Sequence, residues 1–286
     1  MSSIDPTTAP AASLRVPVKV VGGDAEDDLV TIEEPLEIRL VYGAEAAREE
    51  LSLSVTMRTP GNDIELALGF LVGEAIVHSA GDIVDAAPCG PPSPDKGLTN
   101  VIKVELSPDC RFDAELLTRH TFTTSSCGVC GKASLDAVRV ATPSHGPSGF
   151  TVGASVLHRL PAALRKHQTE FARTGGLHAA ATFTSGGRIE RAREDVGRHN
   201  ALDKLIGAYF GRVESTTLRD RGLLLSGRAR FELVQKAAVA GITTVAAIGP
   251  PSSLAIELAA DHDMTLVGFL KADRFNLYTG TRATTP

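Results

Sequence analysis

The sequence predicts an α/β protein in two parts: a mixed α+β unit, then a unit built on a parallel sheet. Three observations carry this. Apolar residues recur at every second position through Val16, Val18 and Val20 and again at Leu36, Ile38 and Leu40, the period of half-buried strands. From Gly222 to Leu270 short apolar strands alternate with helical stretches, the pattern of a parallel sheet with crossover helices. Between the two parts, Thr142 to Gly149 reads Thr-Pro-Ser-His-Gly-Pro-Ser-Gly, a concentration of turn formers. The expected organisation is therefore a disordered tail over 1–14, an N-terminal α+β domain over 15–141 and a C-terminal α/β domain over 148–286.

The elements follow in order. Leu51 to Met57 alternates as a strand and leads into the turn Thr59-Pro60-Gly61-Asn62. A helix follows, capped by Asn62 or Asp63, with Ile64, Leu68, Leu71 and Val72 on one face. Pro88 to Pro94 is a loop, and Leu98 to Leu106 returns as a strand. In the second part, Ala154 to Arg173 reads as helical, with Pro161 in a first turn. His178–Thr184 and Arg188–Arg193 read as a hairpin around Ser185-Gly186-Gly187. Asn200 to Phe210 has Ala201, Leu202, Leu205, Ile206 and Tyr209 on one helical face. Strands at Gly222–Leu225, Ile242–Ile248 and Met264–Leu270 then alternate with helices at Phe231–Ala240 and Ser252–Ala260.

Composition narrows the function. At 286 residues, with 43% hydrophobic and 22% charged side chains, the chain has the mixture of a globular protein rather than a disordered one. Lys and Arg total 29 against 34 Asp and Glu, a formal charge of −5, which excludes a broadly basic nucleic-acid surface. Ten Phe, three Tyr and no Trp leave little for base-stacking platforms. The first fourteen residues hold no Lys or Arg and no continuous apolar core, so no signal peptide is expected. The uncharged stretch Ala237–Ile256 is broken by Thr243, Thr244, Gly249, Pro250 and Pro251, so no membrane span is expected. These readings place the chain in the cytoplasm, where paired cysteines are more often catalytic or metal-binding than structural.

The sharpest chemical feature is Ser125-Ser126-Cys127-Gly128-Val129-Cys130-Gly131-Lys132: two thiols bracketed by glycines, beside a cation that favours thiolate over thiol. Such a loop can accept sulfur, exchange disulfides or bind metal. A structural zinc site needs four ligands. Cys127 and Cys130 supply two, and Cys89 and Cys110 make no second knuckle, although His120 and His145 could help. A thioredoxin-like dithiol should follow a first strand and open a helix, whereas this pair lies mid-chain. A persulfide relay needs one exposed thiolate on a mobile arm and a second thiol to assist, and fits best. Cys89 and Cys110 read as small buried or loop residues.

A second cluster, Arg193 to Asn200, places Asp195, Arg198, His199 and Asn200 at a strand-to-helix junction, where a cleft or an ordinary solvated turn would both explain it. A third, Ser226-Gly227-Arg228-Ala229-Arg230-Phe231, has a glycine and cations at a helix start, suited to phosphate, without forming a P-loop or dinucleotide fingerprint. Ligands of open α/β sheets favour the carboxyl ends of the strands. Those ends carry Ser226–Arg228, Gly249–Ser252 and Lys271–Arg274. His178-Ala179-Ala180 echoes the His-x-Glu of zinc deaminases, but Ala180 stands where the proton-shuttling carboxylate is needed.

Together Ser126–Lys132, Gly175–Ala180, Glu194–Lys204, Ser226–Arg228 and Leu266–Lys271 resemble the formate dehydrogenase accessory sulfurtransferase family, FdhD, over roughly Val16 to Thr279. The resemblance implies a three-layer, cytidine-deaminase-like α/β/α C-terminal domain. It implies a sulfur carrier: a cysteine desulfurase loads a persulfide onto Cys127, and Cys130 assists. The sulfur then passes to the molybdenum of the bis(guanine dinucleotide) molybdopterin cofactor before insertion into formate dehydrogenase. Cofactor binding falls on Phe269, Leu270, Lys271, Ala272, Asp273 and Arg274, with a guanine nucleotide as an analogue of the ligand; Ala272 stands where many relatives have Gly. Arg228, Arg198 and His178 are secondary candidates for the same cleft. The family implies a homodimer. The competing reading is a metal-binding or cofactor-holding chaperone that moves no sulfur.

Overall fold

The computed structural model describes residues 11–92, 97–110, 149–210 and 218–284. The expected cysteine loop, with Cys127 and Cys130, and most of the expected boundary at 142–149 lie outside the described residues. Strand β1 (Ser13–Lys19) begins inside the stretch expected as a tail and forms an antiparallel hairpin with β2 (Ala25–Thr31). A four-stranded sheet follows, with β3 (Glu34–Tyr42), β4 (Glu49–Arg58), β5 (Ile83–Pro88) and β6 (Val101–Leu106) in the order β4-β3-β6-β5. Its β3 and β6 run parallel, and the other pairs are antiparallel. The sequence reading missed β5, whose Ile-Val-Asp-Ala-Ala-Pro carries no clear alternation.

Helix α1 (Asp63–Gly73) corrects two expectations. Neither Asn62 nor Asp63 caps it: Asn62 is left-handed (φ 57°) and makes no side-chain cap bond. The Asp63 carboxylate instead receives Arg58 Nε at 3.0 Å and Nη2 at 2.9 Å. The buried face is Leu66, Ala67, Gly69, Leu71 and Val72, while Ile64 is exposed and Leu68 only half-buried. Ile-Glu-Leu-Ala-Leu-Gly-Phe-Leu-Val is apolar on nearly every side, so periodicity alone cannot choose the inner face.

After β7 (Val152–Gly153), the stretch expected as one helix is three: α2 (Ala154–Leu157), α3 (Leu160–Arg165) and α4 (Thr169–Thr174). Pro161 sits in the first turn of α3, where its missing N–H does no harm, but it cannot continue a helix arriving from Leu157. The start of α4 is held by Glu194, whose two carboxylate oxygens accept the N–H groups of Glu170 and Phe171 at 3.0 and 2.9 Å.

The remaining elements match the predicted alternation. The hairpin β8 (His178–Phe183) and β9 (Ile189–Asp195) is followed by α5 (Arg198–Gly207), β10 (Gly222–Leu225), α6 (Phe231–Val239), β11 (Thr244–Ala247), α7 (Ser253–Asp261) and β12 (Thr265–Gly268). Two strands not foreseen, β13 (Asn276–Thr279) and β14 (Ala283–Thr284), complete the chain, and β14 pairs with β7. The six-stranded sheet has the order β13-β12-β11-β10-β8-β9, with β10, β11 and β12 parallel. Its strands alternate strictly between two cores. Ala180, Leu223, Leu225, Val245, Ala247 and Leu266 join the core that contains α1, α5 and α6, and Ala181, Leu224, Ala246 and Val267 join the one that contains Leu157, Leu160 and Leu164. No helix among the described residues is long and apolar enough to cross a membrane.

The first of these cores also contains Leu36, Ile38, Leu53 and Val104, so the four-stranded sheet and the six-stranded sheet share one interior. Helices α1 and α5 close it by touching backbone to backbone. A Cβ on Gly69 would collide with the Asp203 carbonyl oxygen, and one on Gly207 with that of Glu65. G69A and G207A should each destabilise the protein by about 3 kcal/mol or more, because neither backbone can retreat without opening the core. Urea unfolding of each variant checks this; wild-type midpoints would contradict it.

Candidate functional site

The block Glu194–Lys204 is the most distinctive run of the sequence, and most of it is structural. The Asp195 carboxylate, fully buried, accepts from Gly197 N–H (2.8 Å) and Asn200 Nδ2 (3.1 Å) on one oxygen. The other oxygen accepts from Thr59 N–H (3.2 Å) and lies 2.7 Å from Lys204 Nζ. Lys204 also donates to the Thr59 carbonyl (2.7 Å), and Asn200 donates to the Met57 carbonyl (2.7 Å). Just before the block, Arg193 grips Glu65 with both arms of its guanidinium, at 2.5 and 2.7 Å. Asp195 and Asn200 are therefore neither cleft groups nor parts of a solvated turn; they clasp the end of β4 and the start of α1. A cavity of about 200 Å³, lined in part by Thr59, Asn62, Arg193 and Lys204, adjoins this clasp rather than the strand ends.

Helix α6 and the clasp are joined by a second buried set. Lys236 Nζ lies 2.8 Å from Asp203 and 3.3 Å from Glu74. Burial opposes the Lys236 charge, but the two carboxylates outweigh it and raise its pKa.

The strand ends gather as predicted. Ser226 exchanges bonds with Ala179, donating its N–H to the carbonyl (2.9 Å) and accepting Ala179 N–H on Oγ (2.8 Å). Gly249 N–H donates to the Gly227 carbonyl at 2.9 Å, and Phe269 N–H to the Gly249 carbonyl at 3.1 Å, which sets the three loops side by side. A Cβ on Gly249 would lie 3.0 Å from the Arg228 nitrogen, so only glycine allows this approach. Of the six residues expected to bind cofactor, Lys271, Ala272, Asp273 and Arg274 are exposed and closed into a turn by Lys271 N–H donating to the Arg274 carbonyl (2.8 Å). Phe269 adopts φ 52°, a strained backbone of the kind that collects at functional sites, and the residue is 39% exposed. Leu270 differs: its side chain is buried in the core and its N–H is taken by the Ala247 carbonyl. Sequence reasoning missed His158, whose Nδ1 lies 3.1 Å from the Lys271 carbonyl. Because that carbonyl can only accept, Nδ1 carries the proton. A lone histidine 113 residues away gives no signal of such a contact.

Of the Arg193–Asn200 cluster, Arg198 and His199 do face this region. His199 Nε2 lies 3.5 Å from Glu232 Oε2, an ion-pair distance that ties the start of α5 to the start of α6. His199 holds the Glu232 carboxyl down at about 2, with Arg198 adding to the effect and burial opposing it. His178 lies against Gly227, and burial together with the charges of Arg198 and Arg228 lowers its pKa, so its imidazole is neutral at pH 7. Cys89 and Cys110 are free and half-buried, and burial pushes the Cys110 thiol up.

The Glu232 shift has a sign that can be tested. Its folded value lies below the ordinary 4.5, so the stabilisation that comes with the lowered Glu232 carboxyl is lost as pH falls from there toward 2. H199A should return Glu232 toward the ordinary carboxylate range in a carbon-13 NMR titration; an unchanged titration would remove His199 as the cause.

Comparison with known proteins now bears on this arrangement. Residues 32–285 match the model of the FdhD/NarQ family. The chain is 47% identical to the sulfur carrier protein FdhD of Nocardia farcinica over 258 residues, covering 88% of this chain and 87% of that one. It is equally identical to the protein of the same name from Streptomyces coelicolor over 256 residues, covering 88% of each. A crystal structure from Desulfotalea psychrophila, described as a candidate formate dehydrogenase accessory protein, shares the fold. Its TM-score is 0.70 at 21% identity, covering 97% of this chain and 100% of that one. With one fold across both sheets and a family match over nearly its whole length, the chain belongs to the FdhD/NarQ family.

Proposed function

We propose that this chain is a sulfur carrier in the maturation of formate dehydrogenase, delivering sulfur through a persulfide on Cys127 to the molybdenum cofactor in its bis(guanine dinucleotide) form. The observation that carries the reading is family membership together with a cysteine pair, Cys127 and Cys130, that no core periodicity explains. In this reading the donor is a cysteine desulfurase. The Cys127 thiolate attacks the outer sulfur of the donor's persulfide; the donor S–S bond breaks, a new one forms on Cys127, and the donor leaves as thiolate with no net oxidation. Attack of the Cys130 thiolate on the inner sulfur of that persulfide then releases the outer sulfur as HS⁻ and leaves a Cys127–Cys130 disulfide, so atoms and electrons balance.

The cofactor is the substrate of this relay. The exposed 269–274 loop supports its binding: Lys271 and Arg274 supply cations that suit pyrophosphate, and the Phe269 ring supplies an exposed apolar face. Leu270 serves this loop by anchoring it in the core rather than by touching the ligand. The sulfur acceptor is the cofactor before its insertion into formate dehydrogenase, and the setting is the cytoplasm. The working unit is a homodimer, which suits a ligand carrying two identical guanine nucleotides. A division into an N-terminal domain and a cytidine-deaminase-like C-terminal domain belongs to the same reading.

Incubating the purified protein with a cysteine desulfurase and free cysteine, without reductant, tests it. Intact-protein and peptide mass spectrometry should find one added sulfur atom on Cys127, removed by dithiothreitol and absent in C127A. An unmodified Cys127 with a metal held between the two thiols would overturn the reading.

A further inference from the structure

We propose that the β1–β2 hairpin is an exchanged arm, which lies across the α3–α4 surface of a second copy of this chain and receives that copy's hairpin on its own. The inference rests on the homodimer proposed as the working unit and assigns its interface.

A ribbon of two strands is marginal in water unless a third strand or a helix covers one face. Here the pairing runs from Ser13 with Thr31 to Lys19 with Ala25, a ribbon roughly 23 Å long. Its root is fastened by Ile32 N–H donating to the Ala12 carbonyl (2.9 Å) and by Thr31 Oγ1 donating to Thr174 Oγ1 (2.9 Å) at the end of α4. Beyond the root, every residue from Val20 to Asp28 is exposed, Val21 completely. Residues opposite one another in a ladder share a face. Leu14, Val16 and Val18 therefore form an apolar row beside Val30, Asp28 and Glu26. Pro17 in β1 and the acids of β2 blunt the two edges against a further strand, so the face is what a partner would cover.

Charge selects the occupant. Asp24, Glu26, Asp27 and Asp28 crowd the exposed half of the hairpin, and among the described residues none has a cation within ion-pair distance. The complementary surface is on the same chain. Arg159, Arg165 and Lys166 are exposed along α3 and at its two ends, with the small Ala162 exposed between them. Among the described residues none of these cations has a carboxylate within ion-pair distance. Arg165 lies over the Phe171 ring, 4.5 Å from its centroid, which fixes the guanidinium on that surface. Glu170, the one acid between Ala154 and Thr174, is taken by Arg173 at 2.7 Å. The hairpin springs from the end of α4, so a two-fold axis beside its root carries each acidic arm onto the other copy's cations and makes two equal contacts at once. A different basic partner would meet the acids and leave the cations bare, whereas a second copy meets both.

Sedimentation equilibrium of the full chain at low and high salt provides the test. The wild-type chain should be dimeric, with a dissociation constant that rises with salt. E26K/D28K on the hairpin and R165E/K166E at the end of α3 should each raise that constant roughly tenfold or more, because like charges then meet. Combining the four reversals should bring it back to within roughly threefold of the wild type, a recovery that a loss of folding cannot mimic. A wild-type chain that stays monomeric at every concentration overturns the proposal and the homodimer with it. A dimer that both double variants leave unchanged, or reversals whose losses add when combined, overturns the hairpin interface and leaves the homodimer standing. Loading of Cys127 is read by mass spectrometry on the same proteins, so a failure of the sulfur-carrier reading is seen separately.

Discussion

The Asp195 carboxylate, buried and surrounded by four donors, is the point on which the two sheets are hung. Two of its donors, Gly197 and Asn200, come from its own turn; Thr59 comes from the end of the first sheet, and Lys204 spans both by also reaching the Thr59 carbonyl. A buried carboxylate with this many partners tolerates only one arrangement, because withdrawing any donor leaves an unmet charge in a low-dielectric interior. The chain between β4 and α1 is therefore held in register against the turn between β9 and α5. That register lets α1 and α5 approach through Gly69 and Gly207 without a side chain between them. It also directs Arg198 and His199, at the start of α5, toward the loop after β10.

The strand-end region depends on that alignment at one remove. Parallel β10, β11 and β12 end in loops laid side by side by bonds from Gly249 to Gly227 and from Phe269 to Gly249. Cations are contributed by the loop after β10, the loop after β12 and the start of α5, so an overall acidic protein acquires a locally basic edge. Rigid backbone and exposed cationic side chains suit recognition of a phosphate-bearing ligand. The strained Phe269 and the His158 contact at Lys271 hold the outermost loop in one shape.

Much of this was legible in the sequence. The strands and helices from Gly222 to Leu270 follow from alternation of apolar runs with amphipathic ones, and the gathering of the loops after β10, β11 and β12 follows from the topology that alternation implies. What was not legible depends on partners distant in sequence. Asp63 reads as a helix cap but is claimed by Arg58, and α4 is capped by Glu194, twenty-four residues away from Glu170. The inner face of α1 is chosen by Gly69 meeting Gly207, which no single-helix pattern records. Asp195 and Asn200 look like cleft residues until their partners at Met57 and Thr59 are known. Local periodicity reports what one element does, whereas caps, clasps and close crossings belong to pairs.

The central claim is that sulfur held on Cys127 reaches a cofactor bound at the strand ends. Its most direct measurement is a single-turnover transfer experiment: the wild-type chain and a K271Q/R274Q double variant are both loaded with radiolabelled sulfur on Cys127, then mixed anaerobically with the bis(guanine dinucleotide) cofactor. The account predicts that label leaves the wild-type protein and appears on the cofactor, and that the double variant, equally loaded, transfers roughly tenfold more slowly or worse. Equal transfer from both proteins, or retention of label on a loaded wild-type chain, would contradict it.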